Sequence, residues 1–311
     1  MRKILKAFLH DARLSNDCKV TLFRYLSKIV SATQIKQIKR LLMHKVYSSP
    51  MRQQLKLFLT AVQFFTRIPV PHWVGHTPQQ LDQSARYFPL VGLCVGLLAA
   101  LVLYLSQLVL PLNVSIALSM LASILLTGAF HEDGLSDFVD GMGGGYTREK
   151  ILAIMKDSRV GAYGVMAIVL ALLIKYLTLQ ALSNAHSLVF VIVALIVAHG
   201  VSRLLAVSIM LTQTYVRDDD SARAKPVAQG LGRSSFMVVV LTGVMSLVLL
   251  VWVGFGMVNI ISALACALLL RLYLGRLMFK NIGGYTGDCL GAVQQITEIG
   301  FYLGLLLSWP A

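Results

Sequence analysis

Residues 131–141 carry the densest group of acidic side chains in the chain. The stretch reads HEDGLSDFVDG, and four of the protein's fourteen Asp and Glu residues fall within it. The surrounding sequence is apolar and basic, so carboxylates this close together need a counter-charge. A divalent cation with oxygen ligands would supply it. The stretch is therefore predicted to be the site of chemistry.

Helical spacing would place three of these carboxylates on one face. If the segment continues the preceding apolar run as a helix, Asp133, Asp137 and Asp140 lie within an arc of about 60°, at about 100° per residue. Their mutual repulsion favours Mg²⁺ or Mn²⁺ among them. Glu132 points to a neighbouring face as a further ligand or a base, and His131 is predicted to be a packing residue. The alternative is a solvated acidic loop that caps the next helix.

Glycine-rich and basic segments follow the acids directly. The sequence GMGGG at 141–145 lets backbone amides approach a phosphate closely, although it also suits a hinge. Arg148, Lys150, Lys156 and Arg159 come next. Phosphoryl chemistry needs such groups to neutralise phosphate oxygens and the leaving group. The alternative is that they are ordinary basic residues of a cytoplasmic loop.

The composition is that of a membrane protein. Hydrophobic residues make up 57% of the 311 positions, mean hydropathy is +0.72, and only 14% of residues are charged, against about 25% in soluble domains. More than half of the 28 Lys and Arg residues precede residue 87, within a net charge of +14. This basic end indicates contact with anionic lipid rather than nucleic acid. The four cysteines are far apart and predict neither a zinc site nor a disulfide framework.

The elements that must position these residues are predicted to be helices of an all-α, polytopic membrane bundle. An interfacial helix is expected from residue 51, because its apolar residues recur at helical spacing over a run too short to span. Seven longer apolar runs follow, at about 90–110, 112–130, 160–182, 187–211, 235–255, 257–274 and 289–309.

The loops set the predicted orientation. The connections at 111, 183–186 and 256 contain no Lys or Arg, whereas the N-terminal region and the segments 131–159, 212–234 and 275–288 carry nearly all of them. The basic segments should therefore face the cytoplasm. This brings the acidic stretch, the Asp-rich loop at 217–220 and the GGYTGD turn at 283–288 to one face.

Four ionisable residues fall inside predicted spans. Glu298 must face the bundle interior, because an unpaired carboxylate in lipid is costly. Lys175 is predicted to extend its ammonium towards the interface. His199 and Arg203 lie together in the fourth span. Arg203 is expected either to reach a phosphate or to pair with Glu298.

Five motifs in order resemble those of the cobalamin synthase family, also named adenosylcobinamide-GDP ribazoletransferase. They are QFFTRIPVP from 63, RYFPLVG from 86, HEDGLSD from 131 with DG at 140, KDSRVG from 156 with YG at 163, and GGYTGD from 283 with LGA at 290. The match begins at about Met51. Residues 1–50 are therefore treated as a basic extension and 51–311 as the membrane transferase domain.

The resemblance implies a multi-pass enzyme of the bacterial inner membrane whose active-site loops face the cytoplasm. The implied substrates are adenosylcobinamide-GDP and α-ribazole or α-ribazole 5′-phosphate; the products are adenosylcobalamin or its phosphate and GMP, and Mg²⁺ is required. Membrane lipid surrounds the protein, nucleic acid is not a partner, and a homo-oligomer is compatible with the resemblance.

The resemblance also implies roles for individual residues. Mg²⁺ would bind Asp133, Asp137 and Asp140, with Asp137 essential to catalysis. The base for the incoming hydroxyl would be Glu132 or Asp288. The substrate's phosphates would be contacted by Arg67, Lys156 and Arg159, opposite a wall formed by the Gly283 and Gly284 turn.

Two other functions are compatible with parts of the sequence. A phosphatidyl-type transferase also uses several aspartates on a helix at the membrane edge, but with a different pattern of Asp, Gly and an Ala-Arg pair. A transporter would use Glu298, Lys175 and Arg203 along its pathway, and should show discontinuous helices and a paired internal repeat. The concentration of acidic residues in loops favours the enzyme.

Overall fold

The computed structural model describes residues 50–75, 77–216 and 232–307. The chain divides into two compact units, residues 1–55 and 56–311. The predicted extension at 1–50 and the Asp-rich loop at 217–220 lie almost wholly outside the described residues.

Eleven α-helices are described. They are α1 (Pro50–Phe65), α2 (Pro78–Ser84), α3 (Phe88–Gln107), α4 (Leu112–Thr127), α5 (Phe130–Gly144), α6 (Arg148–Lys156), α7 (Ala162–Ala185), α8 (Leu188–Thr212), α9 (Arg233–Val253), α10 (Met257–Ile282) and α11 (Gly287–Leu306). Short 3-10 turns at His72–Val74 and Ala85–Tyr87 join the first three. Within the described ranges, the only strand-like pairing is a single parallel bridge between Tyr215 and Tyr285.

The predicted polytopic helical bundle is confirmed. Six helices are long and apolar enough to cross a membrane, and α4 with α5 forms a seventh candidate, bent by 87°. Helix α8 packs along α3 and α9, and α11 packs along α5, α8 and α10. These two helices are the most enclosed of the six, while the outward side chains of α7 and α9 are largely exposed apolar groups. Such surfaces suit contact with lipid.

The bend between α4 and α5 comes from two consecutive left-handed residues. Gly128 has φ 66° and Ala129 has φ 58°. Left-handed backbone is strained for an alanine. The Arg67 amide donates to the Leu126 carbonyl at 2.8 Å, so the segment after α1 is held against the end of α4. The acidic segment is helical as predicted, but it does not continue the preceding span in a straight line.

Candidate active site

Helix α5 carries the predicted site residues at graded depths. Asp133 is exposed, Asp137 is half-buried and Asp140 is buried. The helix therefore presents its first two aspartates, one turn apart, towards the surface. The third aspartate points into the protein, and its surroundings differ accordingly.

Asp140 holds the start of α7. Its Oδ2 accepts the Gly161 amide at 2.7 Å and its Oδ1 accepts the Gly164 amide at 2.9 Å. A carboxylate at a helix N-terminus satisfies amides that have no partner within the helix and interacts favourably with the helix dipole. The arrangement fixes the end of the loop that follows Lys156 and carries Arg159. The assignment of Asp140 to a metal stays a prediction.

We expect Gly164→Ala to lower the free energy of unfolding by roughly 1–3 kcal/mol, because overpacking forces neighbouring groups apart. A Cβ at this position would lie 2.3 Å from both the Asp140 carboxylate and the Ser136 hydroxyl. The measurement is thermal unfolding of the detergent-solubilised protein. Gly232→Ala is the matched control, because a Cβ there would meet nothing within 4 Å. Equal unfolding temperatures for the two variants would contradict the expectation.

Helices α5 and α11 cross where both have glycine. A Cβ on Gly134 would lie 3.1 Å from the Asp288 carbonyl oxygen and 3.3 Å from the Gly291 Cα. A Cβ on Gly291 would lie 3.1 Å from the His131 carbonyl oxygen. Small residues allow this close crossing. The crossing places the first turn of α11, with Asp288, directly beside the acidic helix, so the structure brings these predicted residues together.

Glu132 joins a chain of buried polar groups. Its Oε1 accepts a hydrogen bond from Gln295 Nε2 at 2.9 Å, and the same Nε2 lies 3.0 Å from Gln294 Oε1. Gln294 Nε2 then donates to Glu298 Oε2 at 2.6 Å. The other oxygen of Glu132 is buried and has no hydrogen-bond partner among the described residues. A buried acceptor in this state favours binding a donor.

The prediction for Lys175 is wrong. Its side chain does not reach the interface: the residue is 4% exposed, and its Nζ lies 2.6 Å from Glu298 Oε1. Glu298 is fully buried and also accepts from Tyr302 at 3.1 Å. The ammonium turns inward because an unpaired buried carboxylate would be far more costly than the ion pair. Glu298 therefore faces the bundle interior as predicted.

Arg203 is buried beside this cluster but does not pair with Glu298. Its Nη1 donates to the His199 carbonyl at 2.9 Å, while its Nε is buried and finds no partner in the part of the chain that the structure describes. His199 Nδ1 instead lies 3.3 Å from Glu298 Oε2. Of the two expectations for Arg203, the ion pair with Glu298 is therefore wrong.

The predicted phosphate-binding residues are distributed over three segments. Arg67 lies across the α4–α5 bend, where a Cβ on Gly128 would fall 2.3 Å from its Nε. Lys156 is exposed at the end of α6. Arg159 is exposed and pairs with Asp157 at 2.6 Å. Hydrogen bonds from Arg159 lower the pKa of the Asp157 carboxyl to about 2, so this pair stays ionised near neutral pH.

The glycine turn is attached to the segment that follows α8. The Tyr285 amide donates to the Thr214 carbonyl and the Val216 amide to the Tyr285 carbonyl, each at 3.0 Å. A Cβ on Gly284 would lie 2.1 Å from the Thr214 oxygen, so only glycine fits there. Gly283 ends α10 with φ 76°. Burial raises the pKa of the Tyr285 phenol well above its usual value, which keeps the group neutral.

The described residues contain no group of three or more His, Cys, Asp or Glu side chains arranged to hold a metal ion. In the described part of the chain, Asp133, Asp137 and Asp140 therefore do not form a three-carboxylate cluster. Mg²⁺ is commonly bound by one or two carboxylates together with water and substrate phosphates. Asp133 and Asp137 fit that smaller donor set.

Sequence reasoning missed an aromatic group beside the acidic helix. Phe64 and Phe65 end α1, Phe88 begins α3 and Phe130 begins α5. Phe65 and Phe88 meet edge to face with centroids 4.3 Å apart, and Phe64 and Phe130 do so at 5.4 Å, whereas Phe64 and Phe88 lie parallel at 6.1 Å. The available signal was that Phe64, Phe65 and Phe88 lie within recognised motifs and that Phe130 directly precedes one. Membrane-edge aromatics are common, and that made the signal easy to overlook.

The fold and site together define a polytopic helical membrane protein with a carboxylate site where two of its helices cross. The chain matches the family model described as cobalamin-5-phosphate synthase over residues 57–306. The chain therefore belongs to the cobalamin-5-phosphate synthase family, and the resemblance seen in the sequence is confirmed.

Similar proteins carry a consistent name. A protein of Shewanella amazonensis named adenosylcobinamide-GDP ribazoletransferase is 46% identical over 261 residues, covering 84% of this chain and 98% of the relative. A protein of the same name from Shewanella putrefaciens is 49% identical over 255 residues, covering 82% and 95%. No solved structure matches the chain significantly.

Proposed function

We propose that this protein is the transferase that assembles the nucleotide loop of cobamides, joining α-ribazole or its 5′-phosphate to adenosylcobinamide-GDP with release of GMP. Family membership over residues 57–306 supports this function. The observation that carries the site is the α5–α11 crossing, which sets Asp288 beside the acidic helix.

The bonds define what the site must do. A ribose hydroxyl oxygen forms a bond to the phosphorus that carries cobinamide, and the bond from that phosphorus to the oxygen of GMP breaks. The hydroxyl proton passes to a base, and negative charge accumulates on the departing GMP. Because the 5′ position can already carry a phosphate, the attacking hydroxyl belongs to another position of the ribose.

Asp133 and Asp137 are the proposed Mg²⁺ ligands. When bound, the cation would neutralise charge on the diphosphate and on departing GMP. The fit rests on their spacing of one helical turn and on their partial exposure, which leaves room for substrate phosphates. Asp140, held by the amides of α7, would position this helix relative to the basic loop.

Two carboxylates remain as candidates for the base. Glu132 is half-buried with one oxygen unpartnered, and Asp288 lies on the first turn of α11 within reach of the Thr286 hydroxyl, at 3.4 Å. Either would take the hydroxyl proton as the new bond forms. Coupled carboxylates titrate as a set, so a pH profile describes the pair.

The basic residues are proposed to bind phosphate groups. Arg159 lies on the loop that Asp140 anchors, Lys156 ends the helix before that loop, and Arg67 lies at the bend before α5. Opposite them, the Gly283 and Gly284 turn would form the other wall. The excess of Lys and Arg in these loops supports a cytoplasmic orientation for them in the bacterial inner membrane. Lipid would surround the exposed apolar helices.

We expect purified wild-type protein to release GMP from adenosylcobinamide-GDP when α-ribazole 5′-phosphate and Mg²⁺ are present. Chelation by EDTA should reduce the rate to background, and added Mg²⁺ should restore it. Liquid chromatography of the nucleotide product gives the measurement, with heat-inactivated protein as the control. If the purified protein releases no GMP while vesicles that contain it move a solute, the protein is a transporter instead.

A further inference from the structure

A cavity of about 480 Å³, counting its mouth to solvent, lies next to the α5–α11 crossing. Its wall is largely apolar and includes the aromatic group Phe64, Phe65, Phe88 and Phe130. Gly291 lines the cavity and also belongs to the crossing. The cavity is therefore adjacent to the carboxylate site and separate from its metal-facing aspartates.

Three polar residues line the cavity among the apolar ones. They are Arg203, Gln294 and His131, whose ring stacks on Phe65 with centroids 5.4 Å apart. Arg203 is 3% exposed, and within residues 50–75, 77–216 and 232–307 its Nε has no hydrogen-bond partner. A buried N–H without a partner is costly. The cavity thus combines an aromatic wall with a buried guanidinium that has an N–H left to donate.

We propose that this cavity binds the benzimidazole base of the incoming riboside, and that Arg203 Nε donates to the base's unsubstituted ring nitrogen. This inference rests on the proposed function. The base of ribazole is a flat bicycle with two methyl groups; one ring nitrogen carries the ribose and the other is a bare acceptor. Edge-to-face aromatic packing suits such a ring. Because Gly291 borders both the cavity and the α5–α11 crossing, a base bound in the cavity would place its ribose next to the acidic helix.

Other occupants match the cavity less well. Guanine, the base of the other substrate, presents several donors and acceptors around its edge, and an apolar wall would leave most of them unpaired. An acyl chain would fill the apolar part but would leave Arg203 Nε without an acceptor. A base with one acceptor and two methyl groups matches both the apolar wall and the Arg203 donor.

The first test fills the cavity. Ala206 lines it from α8, so Ala206→Phe should raise the KM for α-ribazole about tenfold or more, the range seen for pocket contacts of this size. The kcat and the KM for adenosylcobinamide-GDP should stay close to wild type. Leu211→Phe is the matched control, because it adds bulk to the same helix at a position that is 41% exposed and outside the cavity.

The second test alters the acceptor. An indole riboside has the same shape but carries a C–H where the benzimidazole has its bare nitrogen. Wild type should show a KM about tenfold or more higher for this analogue, because Arg203 Nε then stays unpaired. Arg203→Met should remove the discrimination between the two ribosides. Equilibrium dialysis of α-ribazole with each folded variant provides a readout besides turnover.

The outcomes separate this inference from the function on which it rests. If wild type releases GMP while Ala206→Phe and Leu211→Phe have the same KM for α-ribazole, the cavity proposal is overturned and the function stands. Two other results for Ala206→Phe would also overturn it. One is a raised KM for adenosylcobinamide-GDP with an unchanged KM for α-ribazole. The other is loss of a copurifying phospholipid with unchanged binding of α-ribazole. If wild type releases no GMP, the function fails; dialysis then decides the cavity, and loss of riboside binding in Ala206→Phe alone supports it.

Discussion

Replacing Glu298 by glutamine is expected to lower the free energy of unfolding by about 3–5 kcal/mol, the cost of leaving a buried charge without its partner. Glu298 is fully buried, and its two oxygens meet Lys175 at 2.6 Å and His199 at 3.3 Å. The amide would keep the shape of the side chain but not its charge. The Lys175 ammonium, 4% exposed, would then lack compensation. Thermal or denaturant unfolding in one detergent measures the change.

A double substitution tests the cause. Lys175→Met combined with Glu298→Gln should recover a large part of the lost free energy of unfolding, because the double variant removes both buried charges together. Glu149→Gln is the control, since Glu149 is an exposed carboxylate on α6, where such changes stay within about 0.5 kcal/mol. A Glu298→Gln variant as stable as this control would show that the buried pair contributes little.

Asp137→Asn is expected to lower the rate of GMP release by about 10³-fold or more. The loss of a metal ligand removes several kcal/mol of charge stabilisation, and each 1.4 kcal/mol corresponds to about tenfold in rate. The substitution is nearly isosteric at a half-buried position, so the unfolding temperature should change little. Initial rates at saturating substrate measure the effect.

Binding of Mn²⁺ supplies a readout that does not depend on turnover. Electron paramagnetic resonance should show weaker binding of Mn²⁺ to Asp137→Asn than to wild type in the presence of adenosylcobinamide-GDP. Glu149→Gln again provides a carboxylate control, from the helix that follows α5. Activity above a tenth of wild type, or unchanged Mn²⁺ binding, would contradict the assignment of Asp137 as a ligand.

Much of the fold could be predicted because a bilayer imposes a simple length rule. Runs of about 20 apolar residues, separated by basic or glycine-rich loops, identified the spans. The α4–α5 bend was not predictable in the same way. Gly128 is an ordinary helix terminator, but the left-handed Ala129 is an exception to residue preference. The packing of Arg67 onto Gly128 is a tertiary contact that no local pattern encodes.

The site was predictable in its residue types and less so in its pairings. Helical spacing identified the face of Asp133 and Asp137, and the glycine turn indicated the neighbourhood of Asp288. Spacing could not show that Asp140 would meet amides of α7. Lys175 and Glu298 lie far apart in sequence, and only helix packing brings them to 2.6 Å. A single lysine within an apolar run gives the same sequence pattern whether its side chain extends to the membrane interface or into the bundle.

The shortness of α4 makes the acidic helix sensitive to the thickness of its bilayer. Helix α4 has 16 residues, which gives about 24 Å at 1.5 Å per residue, less than the roughly 30 Å hydrocarbon core of a typical bilayer. Its Leu121 and Leu125 are exposed, so surrounding lipid must adjust to it. Long-chain lipids would draw the bend and α5 below the headgroups, whereas short-chain lipids would leave Asp133 in water. Acyl-chain length should therefore control substrate access independently of any change in the protein.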